Sequence, residues 1–409
     1  MPLSMDDAVS VAFERGLRVK RMNRNVEMSD LRLATTRAMR LPRFDSYLNI
    51  NEAARGGRYA TPFYSGKTEP YATFQAGLTG VINAPIDVAG TTARQVKQAT
   101  LANDSARLYQ RQAMVDVSAD VRIAYLDALR AQGAVDADEA LAADLDKLVE
   151  RARAQRHPAL SFLEVEQANA RQTLSAARSG AESAQTGLKQ QLRLPLDTRL
   201  TLHTRLSPEV PSLNTLVATE KALAQRAEMR DARIRIQQAE LSAQQIRDGR
   251  KPYVNVYAYI NESRTGPTAS KYDDNRYQNW SVMLNVSVPL VYWDWGVLDN
   301  NVRTAALSRE QAIDDIAETE DRIRAELRQL TSNLEQARRR LATLPRRDLA
   351  QQALDQAQEQ LLKHQDWQSH MAQVSNARNV WRMAHTASID ALADYYSSYY
   401  RLKRAMGED

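Results

Sequence analysis

The sequence predicts a mainly α-helical chain with four β-strands, which several copies pool into one membrane β-barrel carried on a barrel of long helices. Three observations predict it. The chain reads as two similar halves. Each half holds one pair of alternating strand segments flanked by long helical stretches. Aromatic residues crowd into those strand regions: windows 42–86 and 252–296 hold seven and nine of the 26 aromatics.

The halves, 1–206 and 207–409, align at an offset near 210. Pro42 then meets Pro252, Tyr47 meets Tyr257, and Ile50-Asn-Glu52 meets an identical Ile260-Asn-Glu262. Further along, Val96 meets Val302 and Ala170-Arg171 meets Ala377-Arg378. A fixed order of such matches is the mark of an internal repeat. The joint is the Pro-containing stretch Leu206-Ser-Pro-Glu-Val-Pro-Ser212.

Each half opens with a helix, about 5–40 and 213–250, stopped by Pro42 or Pro252, because proline lacks the N–H and clashes with the preceding turn. Strands follow at about 43–52 and 71–84 in the first half, and at about 252–262 and 279–291 in the second. Trp280, Val282, Leu284, Val286 and Val288 alternate with Ser281, Met283, Asn285 and Ser287, the period of a strand with one apolar face. The segments have about the ~9–11 residues that span a bilayer as tilted strands. Tyr71, Phe74, Tyr253, Tyr257, Trp280, Tyr292, Trp293 and Trp295 are candidate membrane-interface aromatics, since Tyr and Trp collect at both bilayer surfaces. Long helices follow at about 88–156 and 297–364, with final helices at about 160–193 and 369–405.

Four strands cannot close a barrel, and open edges are not tolerated in lipid. If these strands enter a bilayer, several copies must pool them; the plainer reading is a soluble β-hairpin in each half. A dimer gives eight and a packed interior; a trimer gives twelve and an open lumen. Helices of about 68 residues reach roughly 100 Å at 1.5 Å per residue, which favours the trimer.

Composition narrows the function. The chain has 409 residues, 43% hydrophobic, 26% charged, and no Cys. That hydrophobic content is too high for disorder, and zero Cys excludes disulfides, thiolate metal sites and a Cys nucleophile. No run of 18 apolar residues encodes a transmembrane helix. The net charge of +5 is interspersed, as in 318–328, so no nucleic-acid partner is expected. Metalloprotease, hydrolase, dinucleotide and phosphate-loop motifs are absent, so neither an enzyme nor a cofactor is expected. His364 and His370 are six apart, which is not a helical ligand pair, and no metal is expected.

The ordered motifs then resemble the TolC-like outer-membrane factor family, the exit channels of efflux and type I secretion systems. They are Leu3-Ser-Met-Asp-Asp-Ala-Val-Ser-Val-Ala12, Asp120-Val-Arg-Ile-Ala-Tyr-Leu-Asp127, Ser161-Phe-Leu-Glu-Val-Glu-Gln-Ala168, and Trp280 to Leu290 with Gly296 and Val302-Arg-Thr-Ala-Ala306. Asp394-Tyr-Tyr to Met406-Gly407 closes the series. The resemblance spans nearly the whole chain. Its departures lie in the unequal Pro-to-Gly spacings (Pro85 to Gly90, Pro289 to Gly296), in Met371 or Ala372 where the family prefers an acid, and in the missing N-terminal Cys.

The resemblance implies a homotrimer with a twelve-stranded barrel in the outer membrane, a periplasmic α-helical barrel, and a removed signal peptide. It implies a periplasmic adaptor, an inner-membrane RND or ABC transporter and outer-membrane lipid as partners. Passive passage of drugs or other small solutes is the expected function. A type I secretion duct for proteins is the alternative within the family, and a trimeric coiled-coil structural protein the alternative outside it. The gate is expected at the two inter-helix turns, with Arg153, Arg156, His157 and Glu164 in the first and His364, Asp366 and Trp367 in the second. Asp366 is expected to form an acidic ring that pairs with Arg153 or Arg156 across the interface. His157 and His364 invite a pH-sensitive opening, beside the plainer reading of helix-end residues at exposed turns.

Overall fold

The structure, a computed structural model, describes residues 1–61, 64–204, 206–207, 215–249, 251–266, 275–289, 293–363 and 367–408. The side chains at 53–61, 64–73, 215, 266 and 275 lie outside this description.

The chain begins with β1 (Pro2–Leu3) and α1 (Met5–Arg15). Ser4 and Asp7 form a capping box at the start of α1: Asp7 N–H donates to Ser4 Oγ at 3.1 Å and Ser4 N–H to Asp7 Oδ2 at 3.2 Å. Two otherwise orphaned donors are satisfied this way. The helix expected to run to about residue 40 breaks at Gly16, whose backbone is extended, and resumes as α2 (Leu17–Ala38). A Cβ at Gly16 would lie 2.3 Å from the Ala12 carbonyl oxygen, so only glycine fits the break.

Next come β2 (Arg43–Thr61), β3 (Tyr64–Ile86), the 64-residue α3 (Thr91–Ala154) and α4 (Leu160–Leu192). A short β4 (Thr201–Leu202) pairs in parallel with β1. Then follow α5 (Thr215–Gln225), α6 (Ala227–Asp248), β5 (Tyr253–Gly266), β6 (Asn275–Ser287), α7 (Val297–Ala342), α8 (Arg347–Lys363) and α9 (Trp367–Met406). The second long helix thus differs from expectation. It stops at Ala342 and restarts at Arg347, because Pro345 cannot continue a helical ladder.

β2, β3, β5 and β6 form one antiparallel sheet in that order, so β2 and β6 are its edges. β2 and β3 run to 19 and 23 residues, longer than the ~9–11 a bilayer-spanning strand needs. No helix among the described residues is long and apolar enough to cross a membrane.

The chain divides into two compact units, one of residues 1–26, 105–233 and 315–409, the other of 27–104 and 234–314. In the first, α1, α3 and α4 bury Leu3, Val121, Leu126, Leu188 and Leu192 around Tyr125. The Tyr125 hydroxyl donates to the Leu3 carbonyl at 2.8 Å and accepts from Thr204 N–H at 3.3 Å. A second cluster joins α5, α6, α7 and α9 through Ala222, Met229, Ile323, Leu327, Tyr395 and Leu402. A third lies at the inter-helix turns, where Leu145, Leu148, Ala152, Leu163, Leu361 and Val374 are buried together. The second unit holds the sheet.

Candidate functional site

The sheet register separates its side chains into two chemically distinct faces, because successive residues of a strand point to opposite sides. Across β2, β3, β5 and β6, Phe44, Ile82, Ala258 and Val282 share one row and one face. So do Ser46, Gly80, Ile260 and Trp280. The same face carries Leu48, Leu78, Val256 and Leu284. A Cβ at Gly80 would touch the Phe44 ring and the Ile260 side chain, both at 3.3 Å. Trp280 is 74% exposed, and Leu48, Ile260, Val282 and Leu284 are exposed as well. An apolar sheet face of this size left open to water is the signature of a membrane or interaction surface.

The opposite face carries Tyr47, Asn49, Thr79, Asn83, Asn255, Tyr257, Tyr259, Asn261, Ser263, Asn279, Ser281 and Asn285. Thr79 Oγ1 donates to Asn261 Oδ1 at 2.9 Å, and Asn279 Nδ2 to the Tyr259 hydroxyl at 3.1 Å. Amides, hydroxyls and phenols of this kind suit a water-filled lumen. The Arg43–Asp45 ion pair, 2.6 Å on the edge strand, adds both signs of charge to it.

The candidate interface aromatics divide between these faces. Phe74 and Trp280 take positions on the apolar face, Tyr253 and Tyr257 on the polar one. Trp293 and Trp295 lie beyond the end of β6, 76% and 85% exposed, with rings 5.6 Å apart. Tyr71 opposes Arg55 in the ladder, its side chain being outside the description, and Tyr292 lies outside the described residues.

Each strand that runs back to the helices ends in an elbow built on an acid and a glycine. Asp87 accepts from Thr92 N–H at 3.2 Å and Ala93 N–H at 2.8 Å, capping α3. Asp294 accepts from Gly296 N–H at 3.1 Å and Leu298 N–H at 3.3 Å, capping α7. The unequal spacing seen in the sequence therefore leaves the capping acid intact in both halves. Gly90 and Gly296 have φ of 70° and 79°, where a Cβ is strained. At the first elbow Asp248 ties the end of α6 to the start of α3 through Arg94 at 2.6 Å, and Lys251 also reaches it at 2.8 Å. The Lys251 hydrogen bond, with help from Arg94, holds the Asp248 carboxyl below the usual carboxylate range despite opposing desolvation.

At the first inter-helix turn, α3 closes with Arg156 in the left-handed region, and His157 N–H donates to the Ala152 carbonyl at 2.8 Å. This is the 6→1 bond of a Schellman ending. His157 Nδ1 then accepts from Ala159 N–H at 3.2 Å, which satisfies a donor at the start of α4. Arg153 pairs with Glu164 at 2.9 Å within the same turn. Arg156 is exposed. Trp367 packs against the apolar cluster under the turns. His364 and Asp366 lie outside the described residues.

Sequence reasoning missed the ion pairs that α9 makes just above these turns. Arg378 pairs with Glu166 of α4, both largely buried. One turn further, Arg382 grips Asp138 of α3 with two hydrogen bonds, Nε to Oδ1 at 2.5 Å and Nη2 to Oδ2 at 2.9 Å. Asp138 is 3% exposed, and its bond raises the Arg382 pKa. Both pairs line a crevice of about 300 Å³. Farther along, Arg404 reaches Asp116 and Asp120 of α3 at 2.9 and 3.0 Å. The arginines recur on one side of α9, but their partners lie more than 200 positions away in sequence. Among the described residues no His, Asp and Glu side chains converge as a metal site.

Residues 218–408 match the outer membrane efflux protein family. Over almost the whole chain the fold is that of solved outer-membrane channels. A membrane protein of Pseudomonas aeruginosa superposes with a TM-score of 0.75 at 16% identity, covering 99% of this chain and 90% of that one. The MtrE outer membrane channel of Neisseria gonorrhoeae, in its open state, gives 0.72 at 16%, covering 99% and 89%. The CmeC outer membrane channel of Campylobacter jejuni gives 0.71 at 15%, covering 98% and 85%. No curated protein matches the sequence.

Proposed function

From a chain with the TolC-like outer-membrane channel fold throughout, whose second half matches the outer membrane efflux protein family, we propose the exit duct of a tripartite efflux system. Three copies close a twelve-stranded barrel in the outer membrane, and their helices continue the duct into the periplasm. The two halves of the chain are two copies of one structural unit, each supplying two strands. The observation that carries this reading is the two-faced sheet with two unpartnered edges. Its apolar face requires lipid, its polar face requires water, and its edges require further strands, since lipid leaves no backbone group unpaired. A closed ring of identical chains supplies all three.

In this reading the duct moves solutes passively, and its chemistry is electrostatics and gating. Small solutes such as drugs arrive from an inner-membrane RND or ABC transporter through a periplasmic adaptor. Phe74 and Trp280 lie toward lipid, and the strand-to-helix elbows lie at the periplasmic headgroups. The helical turns form the constriction, where a ring of Asp366 favours cations, as charged rings do in other pores. Purified protein in planar bilayers should give stable conductance steps, and Asp366→Ala should raise their size. A protein that inserts and gives no steps would overturn the duct. An unchanged step in the variant would remove Asp366 from the gate.

A further inference from the structure

Two features at the helix-proximal end of the sheet have no use within a single chain. The first is the Trp293–Trp295 pair. Both indoles project into the open, and Trp295 holds a left-handed backbone, φ 54°. Bulky residues seldom adopt that conformation, and such strain persists where the surrounding structure or function requires it. The second is a cavity of about 890 Å³ at the foot of β2, β3 and β5, walled in part by Met39, Leu41, Pro42, Ile86, Val88 and Pro252. Met39, Leu41, Ile86 and Val88 are themselves exposed. Pockets of ~300–1,000 Å³ take drug-sized groups, so two indole rings fit.

The two features belong to opposite edges of the sheet. Leu41 and Met39 immediately precede edge strand β2, which begins at Arg43, while the tryptophans follow edge strand β6, which ends at Ser287. The sheet alternates antiparallel from β2 to β6. In a closed ring β6 of one copy therefore lies antiparallel to β2 of the next, and the helix-proximal ends of both strands come side by side. A knob at one edge and a hole at the other, at one level, is the arrangement of a heterologous interface that closes. We propose that Trp293 and Trp295 dock into the cavity at the foot of β2 of a second copy of this chain and lock neighbouring copies at the base of the barrel. The inference rests on the closed-ring reading above. It deepens that reading by naming the side chains that close the ring below its hydrogen-bonded edges.

The chain has no native Cys, which makes thiol bridging clean. Full-length protein in outer membranes carrying Trp295→Cys with Leu41→Cys is treated with a short bis-maleimide, beside an edge-strand control carrying Asn285→Cys with Tyr47→Cys. The expected result is covalent trimers from both pairs, and from neither set of single variants. Bridging of the edge pair alone overturns the lock and leaves the ring standing. Bridging of neither overturns the ring itself. A second measurement does not depend on the cysteine variants folding. In a Trp280→Phe background, phospholipid brominated near its headgroup should leave the tryptophan emission unquenched. Strong quenching that disappears with Trp293→Phe/Trp295→Phe places the indoles in lipid and overturns the proposal.

Discussion

Arg382→Leu should destabilise the protein far more than Asp138→Leu, although both break the same ion pair. The asymmetry follows from burial. The Asp138 side chain is 3% exposed and the Arg382 side chain 43%. Removing the arginine strands a carboxylate among packed helices, whereas removing the aspartate leaves a guanidinium that water already reaches. Losing one partner of a fully buried pair costs about 3–5 kcal/mol, and a hydrogen bond to a charged group about 1.5–3 kcal/mol. Because one partner here is half exposed, about 2–3 kcal/mol is expected for Arg382→Leu and under about 1 kcal/mol for Asp138→Leu. Unfolding entropy of about 2.1 cal/mol/K per residue over the 409 residues turns about 2.5 kcal/mol into a fall of about 3 °C in melting temperature. The double variant should melt near wild type, since an apolar pair of similar shape replaces a buried ion pair at little cost. Thermal unfolding in detergent, followed by far-UV circular dichroism, measures all four proteins. Equal losses in the two single variants, or a double variant that loses the sum of both, would refute the argument from burial.

Other perturbations probe separate parts of the fold. Leu163→Ala, at a fully buried position under the inter-helix turns, should cost about 2–5 kcal/mol, read as a lower denaturant midpoint at unchanged slope. His385 stacks on Trp381 at 4.5 Å, and burial, then Arg347, lower its pKa, with Asp136 opposing. A depressed histidine stabilises the fold above its unfolded pKa near ~6.5 and withdraws that stability as pH falls through the folded value. His385→Phe should therefore flatten the loss of melting temperature between pH 7 and 5, and an identical slope would remove His385 from the acid response. Gly296→Ala, at φ 79°, should cost about 1 kcal/mol or more, and Trp295→Gly, which relieves a left-handed tryptophan, should raise the stability of the isolated monomer while weakening the trimer.

The strands were legible because their pattern is local. Trp280 to Val288 alternates strictly, and β6 puts Trp280, Val282, Leu284 and Val286 on one face as that alternation requires. The helices were legible as long stretches poor in Gly and Pro, and α3 runs unbroken for 64 residues. Three breaks were read through. Gly16 was absorbed into one helix although only glycine tolerates the approach of the Ala12 carbonyl. Arg226 divides α5 from α6 with no helix-breaking residue to mark it. Pro345 ends α7 in its usual way, but it stands alone in a stretch otherwise almost free of Gly and Pro, which reads as one helix. The turn between the first half's long and final helices falls at 155–159, within two residues of its expected place. Arg153 pairs with Glu164, eleven positions on, an interaction set by how tightly the Schellman ending folds α4 back. The α9 arginines were illegible for a different reason. Arg378 finds Glu166 and Arg382 finds Asp138 only after three helices have packed, and charges so common on solvated helix faces give no local hint of their partners.

In the proposed assembly three copies of this chain close one barrel. Native mass spectrometry of the full-length protein, extracted from outer membranes in mild detergent, tests it most directly. A closed trimer of the 409-residue chain gives a protein mass near 138 kDa, three times the 46.1 kDa of one chain, with no lighter species until the complex is heated. A stable monomer or dimer from the same membranes would contradict it.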